Sequence, residues 1–242
     1  MDHNLIFDIG LHTGHDALYY LRKGFRVVGL EARSDLCEQA RAAAVDAGLE
    51  AQLKVVQRAL YYRSDETVSF FINDNKDDWG SLFRGSPEQD GSTARETTVE
   101  TISLYDLIDQ FGVPYYIKCD IEGGDSIFAE QLIGMREKPS FVSIEATKPE
   151  DVAKLSAAGY NAFQVRNQYM NVFIKEPHPS QEGKSTDQQF THAMSGPFGR
   201  DLPADGWTSF GAAIDSLLTW YRLRDRDKNL AIGWLDIHAT VR

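Results

Sequence analysis

Asp8, Gly10, Gly14 and Glu31 near the start of the chain have the residue types and spacing of a small-molecule binding turn. The two glycines free the backbone to turn sharply after a strand. Glu31 follows Asp8 by 23 residues. That is close to the roughly 20 at which an acid ending a second strand accepts hydrogen bonds from ribose hydroxyls. A dinucleotide would call for G-x-G-x-x-G, whose second glycine lets a pyrophosphate approach the backbone. His12 occupies that place here. The observed D-x-G-x-x-x-G suits a ligand without a pyrophosphate, S-adenosylmethionine, whose carboxylate can sit at the amino end of the following helix.

A second concentration of chemistry lies at the end of the apolar run 115–119. Asp120 and Glu122 stand at i and i+2, so both project to one side as a strand ends. Asp125 follows closely, and Glu145 ends the next strand-like run. Acids gathered near a cationic sulfonium have an electrostatic purpose, and like-charged neighbours raise one carboxylate toward the range of a general base. The plainer readings are that Lys118 neutralises these acids and that Glu122 caps the helix after Gly124. His12 and His15, in or beside the glycine turn, are candidate bases or merely packed imidazoles. Asn167 and Gln168, at a strand end, could meet acceptor hydroxyls or simply turn the chain. Asp236 and His238 share one face of a late extended run; with Asp120, Glu122 and Glu145 they raise the question of a metal. No close ligand spacing supports one, so none is expected.

The elements that must position these residues read as an alternating α/β chain. Strand-like runs fall at 5–8, 26–30, 53–57, 115–119, 141–145, 162–165 and 171–174, with helix-like runs at 16–23, 36–47, 104–111, 126–132 and 150–158. This predicts a mostly parallel sheet covered on both faces. Residues 58–72 read as a hairpin turning at 64–66, inserted after the third strand, and 73–95 as a long surface loop. Residues 176–205, with four prolines, read as an ordered excursion over the carboxyl edge of the sheet, where a lid would sit. A last helix at 212–223 and a short strand or tail at 230–239 close the chain. The expected organisation is a cofactor-binding core over 1–175, with 176–242 a lid and closing helix of the same domain.

The 242 residues suffice for one sizeable α/β domain. A net charge of −11 argues against a nucleic-acid backbone as the main partner. Cys37 and Cys119 fall in a helix-like and a strand-like run, which indicates neither a disulfide framework nor a thiolate metal site. The chain lacks an apolar run of membrane-spanning length and a leader-like start, so the expectation is a soluble cytoplasmic protein without a membrane partner. Oligomeric state stays open.

Several segments together carry a family resemblance. They are Asp8-Ile9-Gly10 with Gly14, Glu31-Ala32, Arg58-Ala59-Leu60, the run 101–107, the run Ile117 to Gly123, and Ser143-Ile144-Glu145. Over roughly residues 4–175 the chain resembles the FkbM-type methyltransferases, a class I S-adenosylmethionine-dependent family associated chiefly with O-methylation of sugars and natural-product hydroxyls. The resemblance implies a Rossmann-like class I methyltransferase fold with a seven-stranded sheet. It implies that Asp8, Gly10, His12 and Gly14 line the methionine side, that Glu31 with Ala32 holds the ribose, and that Arg58 and Ala59 lie near the adenine. Asp120 would face the methyl-transfer centre, with Lys118 and Glu122 around it. His15, Glu145, Asn167, Gln168 and His238 are the candidate contacts to a small-molecule or glycan acceptor. Two other readings stay open: a non-catalytic binding module on the same scaffold, and a dinucleotide-dependent oxidoreductase.

Overall fold

The computed structural model describes residues 1–73, 75, 79–85, 93–145 and 148–242. Ten strands and six α-helices are seen among them. In chain order they are β1 (Asp2–Ile9), α1 (His15–Arg22), β2 (Arg26–Glu31), α2 (Ser34–Asp46), β3 (Leu53–Gln57), β4 (Ala59–Leu60), β5 (Thr67–Asn73), β6 (Ala94–Ile102) and α3 (Leu104–Phe111). There follow β7 (Pro114–Cys119), α4 (Asp125–Ile133), β8 (Phe141–Glu145), α5 (Pro149–Ala157), β9 (Ala162–Asn167), α6 (Phe210–Arg226) and β10 (Leu235–Thr240).

Seven strands form one sheet in the order β3-β2-β1-β7-β8-β10-β9. All ladders are parallel except the two made by β10, which runs antiparallel to β8 and β9. Residues at odd positions of β1, such as Leu5, Phe7 and Ile9, pack with Ile117, Ile144 and Ile237 against α3 to α6. The opposite face carries Ile6 and Tyr116 against α1 and α2. A polar row crosses this second face, in register from Asp8 through Lys118, Ser143 and His238 to Gln164.

Three expectations change. The seventh strand is β10, at 235–240, inserted between β8 and β9; residues 171–173 belong instead to a 3₁₀ turn, Gln168–Phe173, which Ile174 follows. Asn167 starts that turn by accepting from the Tyr169 N–H at 3.1 Å. β10 is buried along its whole length, yet its alternation of Leu235, Ile237 and Ala239 with Asp236, His238 and Thr240 reads as a half-exposed strand. The inserted hairpin pairs β5 with β6, not with residues 58–63; β4 joins β6 in parallel. The turn at 64–66 is held by Thr101, whose hydroxyl donates to the Arg63 carbonyl at 2.7 Å. Of the expected 73–95 loop, residues 74, 76–78 and 86–92 lie outside the described residues, and the end of it is strand β6.

The 176–205 excursion is ordered, but most of it lies along α1 rather than over the carboxyl edge. Phe198 stacks on Tyr116 at 4.8 Å, and Phe190 meets Tyr19 edge-on at 5.2 Å. The Lys23 ammonium at the end of α1 donates to Glu176, to Ser180 Oγ at 2.7 Å and to Asp201 Oδ2 at 2.9 Å. At the other end of α1 the Asp16 carboxylate accepts from the Ser195 N–H at 3.0 Å. The stretch from His192 to Ser195 reaches the carboxyl edge.

Candidate active site

The glycine turn leaves β1 with Gly10 at φ 82 and Gly14 at φ 85. A Cβ on Gly10 would lie 1.8 Å from the Asp120 carbonyl oxygen, so the glycine is what lets the ends of β1 and β7 close up. Gly14 faces Ala40 of α2, where a Cβ would sit at 3.2 Å. His12 adopts φ 51, a left-handed conformation that turns its N–H back onto Glu31. Glu31 Oε2 accepts that N–H at 2.9 Å, and Oε1 accepts the Arg33 N–H at 2.9 Å. Burial pushes the Glu31 carboxyl up, and the two N–H groups oppose it. Each oxygen keeps a lone pair for a further donor, so a diol can bridge the two.

Glu31 lies in a cleft of about 590 Å³, its open mouth included, that runs across the carboxyl ends of β1, β2 and β7. Gly10, His12, Ala32, Arg58, Ala59 and Asp120 also line it. Its apolar wall is Leu36, Leu60, Phe70 and Leu82, a surface for a flat base. These four were not anticipated, although alternation along β5 marks Phe70 as an inward position. Arg58 is fixed by Asp65 at 3.0 Å, Glu100 at 3.2 Å and the Thr101 carbonyl at 3.2 Å. Gly14 and Asp8 do not line the cleft. Asp8 is fully buried beneath the turn, 3.5 Å from Lys118 Nζ.

Lys118 ties the acids to the turn. Its ammonium donates to the Gly10 carbonyl at 3.0 Å and stands 3.7 Å from Asp120 Oδ2. Burial alone would lower its pKa, but the charges of Asp8, Asp120 and Asp16 hold it well above the usual value. Burial, against the pull of Lys118, pushes the Asp8 carboxyl up to about 7. Its unfolded value is near 3.8, so the native state holds this proton in the window from about pH 4 to about pH 7. Stability from Asp8 is therefore full below that window and falls as pH rises through it. The melting temperature of Asp8→Asn, taken relative to wild type, is expected to climb between pH 4 and pH 7 and level off above. A difference that is flat with pH would refute the shift.

Asp120 and Glu122, which line the cleft, converge with Glu145, which does not, one oxygen from each lying within 4.8 Å of the others. Glu122 sits at φ 51 in the turn after β7, and its carbonyl accepts from Ser81 Oγ at 2.7 Å. Asp236 faces Glu145 across the ladder. Burial first, then neighbouring acids led by Asp120, push Glu145 and Asp236 well above the carboxylate range. The remaining candidates are placed apart from the cleft lining. His15 opens α1, exposed, with its Nδ1 3.0 Å from Thr13 Oγ1. Asn167 Nδ2 donates to the Ile232 carbonyl at 2.8 Å, and Gln168 Nε2 to the His192 carbonyl at 3.2 Å. His238 is buried in the polar row, where burial and the Arg166 charge lower its pKa to about 3, leaving a neutral imidazole.

A parallel sheet with one antiparallel strand in its sixth position, helices on both faces and a cleft at the carboxyl ends of its central strands defines the Rossmann-like class I methyltransferase fold. The Methyltransferase FkbM domain profile matches residues 8–173, and the chain belongs to that family. Among curated proteins no sequence matches it. The solved structures it is similar to include an RNA methyltransferase from Salinibacter ruber in complex with S-adenosyl-L-homocysteine, at 17% identity and TM-score 0.34. That match covers 59% of this chain and 64% of the other, so the chain spans less than two thirds of that relative's length. Precorrin 8W decarboxylase from Methanobacterium thermoautotrophicum is similar at 10% identity and TM-score 0.45, covering 100% of this chain and 83% of the other. A SAM-dependent O-methyltransferase from Thermotoga maritima is similar at 9% identity and TM-score 0.42, covering 100% and 60%. Among the described residues no helix is long and apolar enough to cross a membrane.

The residues present fit S-adenosylmethionine, the methyl donor that the family resemblance implies. Glu31 offers two backbone-oriented carboxylate oxygens in a cleft. The apolar wall suits an adenine.

Proposed function

We propose that the chain is an S-adenosylmethionine-dependent O-methyltransferase whose acceptor is a hydroxyl on a small molecule or glycan. One observation carries this reading: the cleft that holds the ribose-type carboxylate of Glu31 is also lined by Asp120 and Glu122, and Glu145 gathers with these two acids. The net charge of −11 favours an acceptor other than a nucleic acid.

When bound, S-adenosylmethionine supplies a methyl carbon that the acceptor oxygen attacks in line as the carbon–sulfur bond breaks and sulfur keeps the electron pair. Glu31 would hold the ribose diol, and Leu60 and Phe70 would flank the adenine. The buried Lys118 fixes the turn through the Gly10 carbonyl and stands 3.7 Å from Asp120 Oδ2. Asp120 would receive the hydroxyl proton, a step that contributes about 100- to 10,000-fold when the base is in place. Holding acceptor and methyl group in line would supply most of the remaining rate.

Two variants separate the roles. Glu31→Ala is expected to weaken S-adenosylmethionine binding at least tenfold by calorimetry, about 1.4 kcal/mol; unchanged affinity removes the ribose assignment. Asp120→Asn is expected to keep cofactor affinity within about threefold while adenosylhomocysteine release, screened by mass spectrometry over hydroxylated metabolites and glycans, falls at least 100-fold. Full turnover in that variant excludes Asp120 from the chemistry.

A further inference from the structure

Around Asp120 and Glu122, which line the cleft, negative charge is concentrated beyond what one base needs. Asp120 directly follows β7, Glu122 lies two residues on, and Glu145 closes the adjacent strand β8. One oxygen from each lies within 4.8 Å of the other two. Three atoms no further apart than this can share a centre about 2.8 Å from each, a few tenths of an ångström beyond a calcium–oxygen bond of about 2.3–2.6 Å. A second observation points the same way. Asp236 stands directly opposite Glu145 in the antiparallel ladder, so its side chain leaves the same face of the sheet. It is 4% exposed, and its Oδ2 has no hydrogen-bond partner. The orphan oxygen thus belongs to a side chain that adjoins Glu145 of the cluster. Among the described residues Lys118 contacts Asp8 and Asp120, whereas neither Glu145 nor Asp236 makes an ion pair.

We infer that Asp120, Glu122 and Glu145 form a site for one hard divalent cation at the cleft, with Asp236 behind them. The donors are all carboxylate oxygens, which suit magnesium, manganese or calcium rather than zinc or copper. Asp236 Oδ2 would accept from a water on the cation or bind it directly. His238, two residues along, lies deeper in the polar row and takes no part. For the reaction, the cation would hold the acceptor oxygen and lower its hydroxyl pKa. That role rests on the methyltransferase reading; the binding of the cation does not.

The test uses the full chain stripped with EDTA and titrated with MnCl₂, free Mn²⁺ being read by electron paramagnetic resonance. One saturable Mn²⁺ per chain is expected, displaced by excess Mg²⁺ or Ca²⁺. Glu145→Gln and Glu122→Gln should each weaken it at least tenfold, while Glu130→Gln, an exposed acid on α4, should leave it unchanged. Circular dichroism in EDTA reports folding of each variant, and Glu122→Gln, in the turn, decides the matter if Glu145→Gln does not fold. Absence of saturable Mn²⁺ binding in the wild type at low millimolar concentration overturns the site, as does unchanged binding in the folded variants. Calorimetry of S-adenosylmethionine on the EDTA-stripped protein separates the two ideas. Cofactor binding without Mn²⁺ binding removes the cation and leaves the methyltransferase reading standing. Mn²⁺ binding without cofactor binding does the reverse.

Discussion

Gly10→Ala is expected to destabilise the protein by at least about 3 kcal/mol, well above the usual effect of one added methyl group. Two costs coincide. The backbone at φ 82 is one that residues with a Cβ rarely adopt. The new Cβ would also meet the Asp120 carbonyl oxygen at 1.8 Å and its carbon at 2.8 Å, and both atoms are backbone. Relief requires the ends of β1 and β7 to part, which breaks the bond from the Asp120 N–H to the Ile9 carbonyl at 2.9 Å. It would also pull the Gly10 carbonyl off Lys118. Urea unfolding should show a lower midpoint at unchanged slope. Whatever folded fraction remains should bind S-adenosylmethionine weakly, because the same movement widens the cleft floor. A loss below about 1 kcal/mol would mean that the two strands do not meet as closely as described.

Lys23→Met should cost about 3–5 kcal/mol, because it removes one partner of a buried ion group and leaves the others uncompensated. The side chains of Lys23, Glu176 and Asp201 are 0%, 2% and 0% exposed. Glu176 also accepts the Thr186 N–H at 2.7 Å, and Asp201 accepts the Gln181 N–H at 2.6 Å. The carboxylates therefore organise the loop that Lys23 anchors to α1. The triple variant Lys23→Met, Glu176→Gln, Asp201→Asn should recover much of the loss, since it leaves no buried charge unpaired. Thermal and urea unfolding of the two variants provide the comparison. If Lys23→Met is neutral, the 176–205 segment does not depend on this anchor.

The first third of the fold was readable residue by residue because its signals are local. The run Leu5 to Asp8, the glycines at 10 and 14, and the apolar 26–30 run each specify their own conformation through side-chain period or backbone freedom. Glu31 then falls at a strand end by counting alone. β3, α3 and β8 have the same local character, and their expected bounds of 53–57, 104–111 and 141–145 agree with the structure. β6 was hidden because its alternation, from Ala94 to Ile102, carries charged and polar residues on an exposed face and makes sense only once β5 lies beside it. The 171–174 run misled because Val172 and Phe173, apolar enough for a strand, stand exposed on a turn.

Chain order and residue type alone located the glycine turn and Glu31, an acid one strand away. The cluster of Asp120, Glu122, Glu145 and Asp236 needed the sheet. Asp120 and Glu145 are 25 residues apart in the chain and Asp236 lies 91 beyond Glu145. They meet because β8 lies beside β7 and β10 inserts antiparallel beside β8. Local period cannot encode which strands become neighbours, since that choice is made by the burial of whole faces against helices and by the register of the ladders. The same holds for Lys23 with Asp201, a pair joined only when the chain after Ile174 folds back along α1.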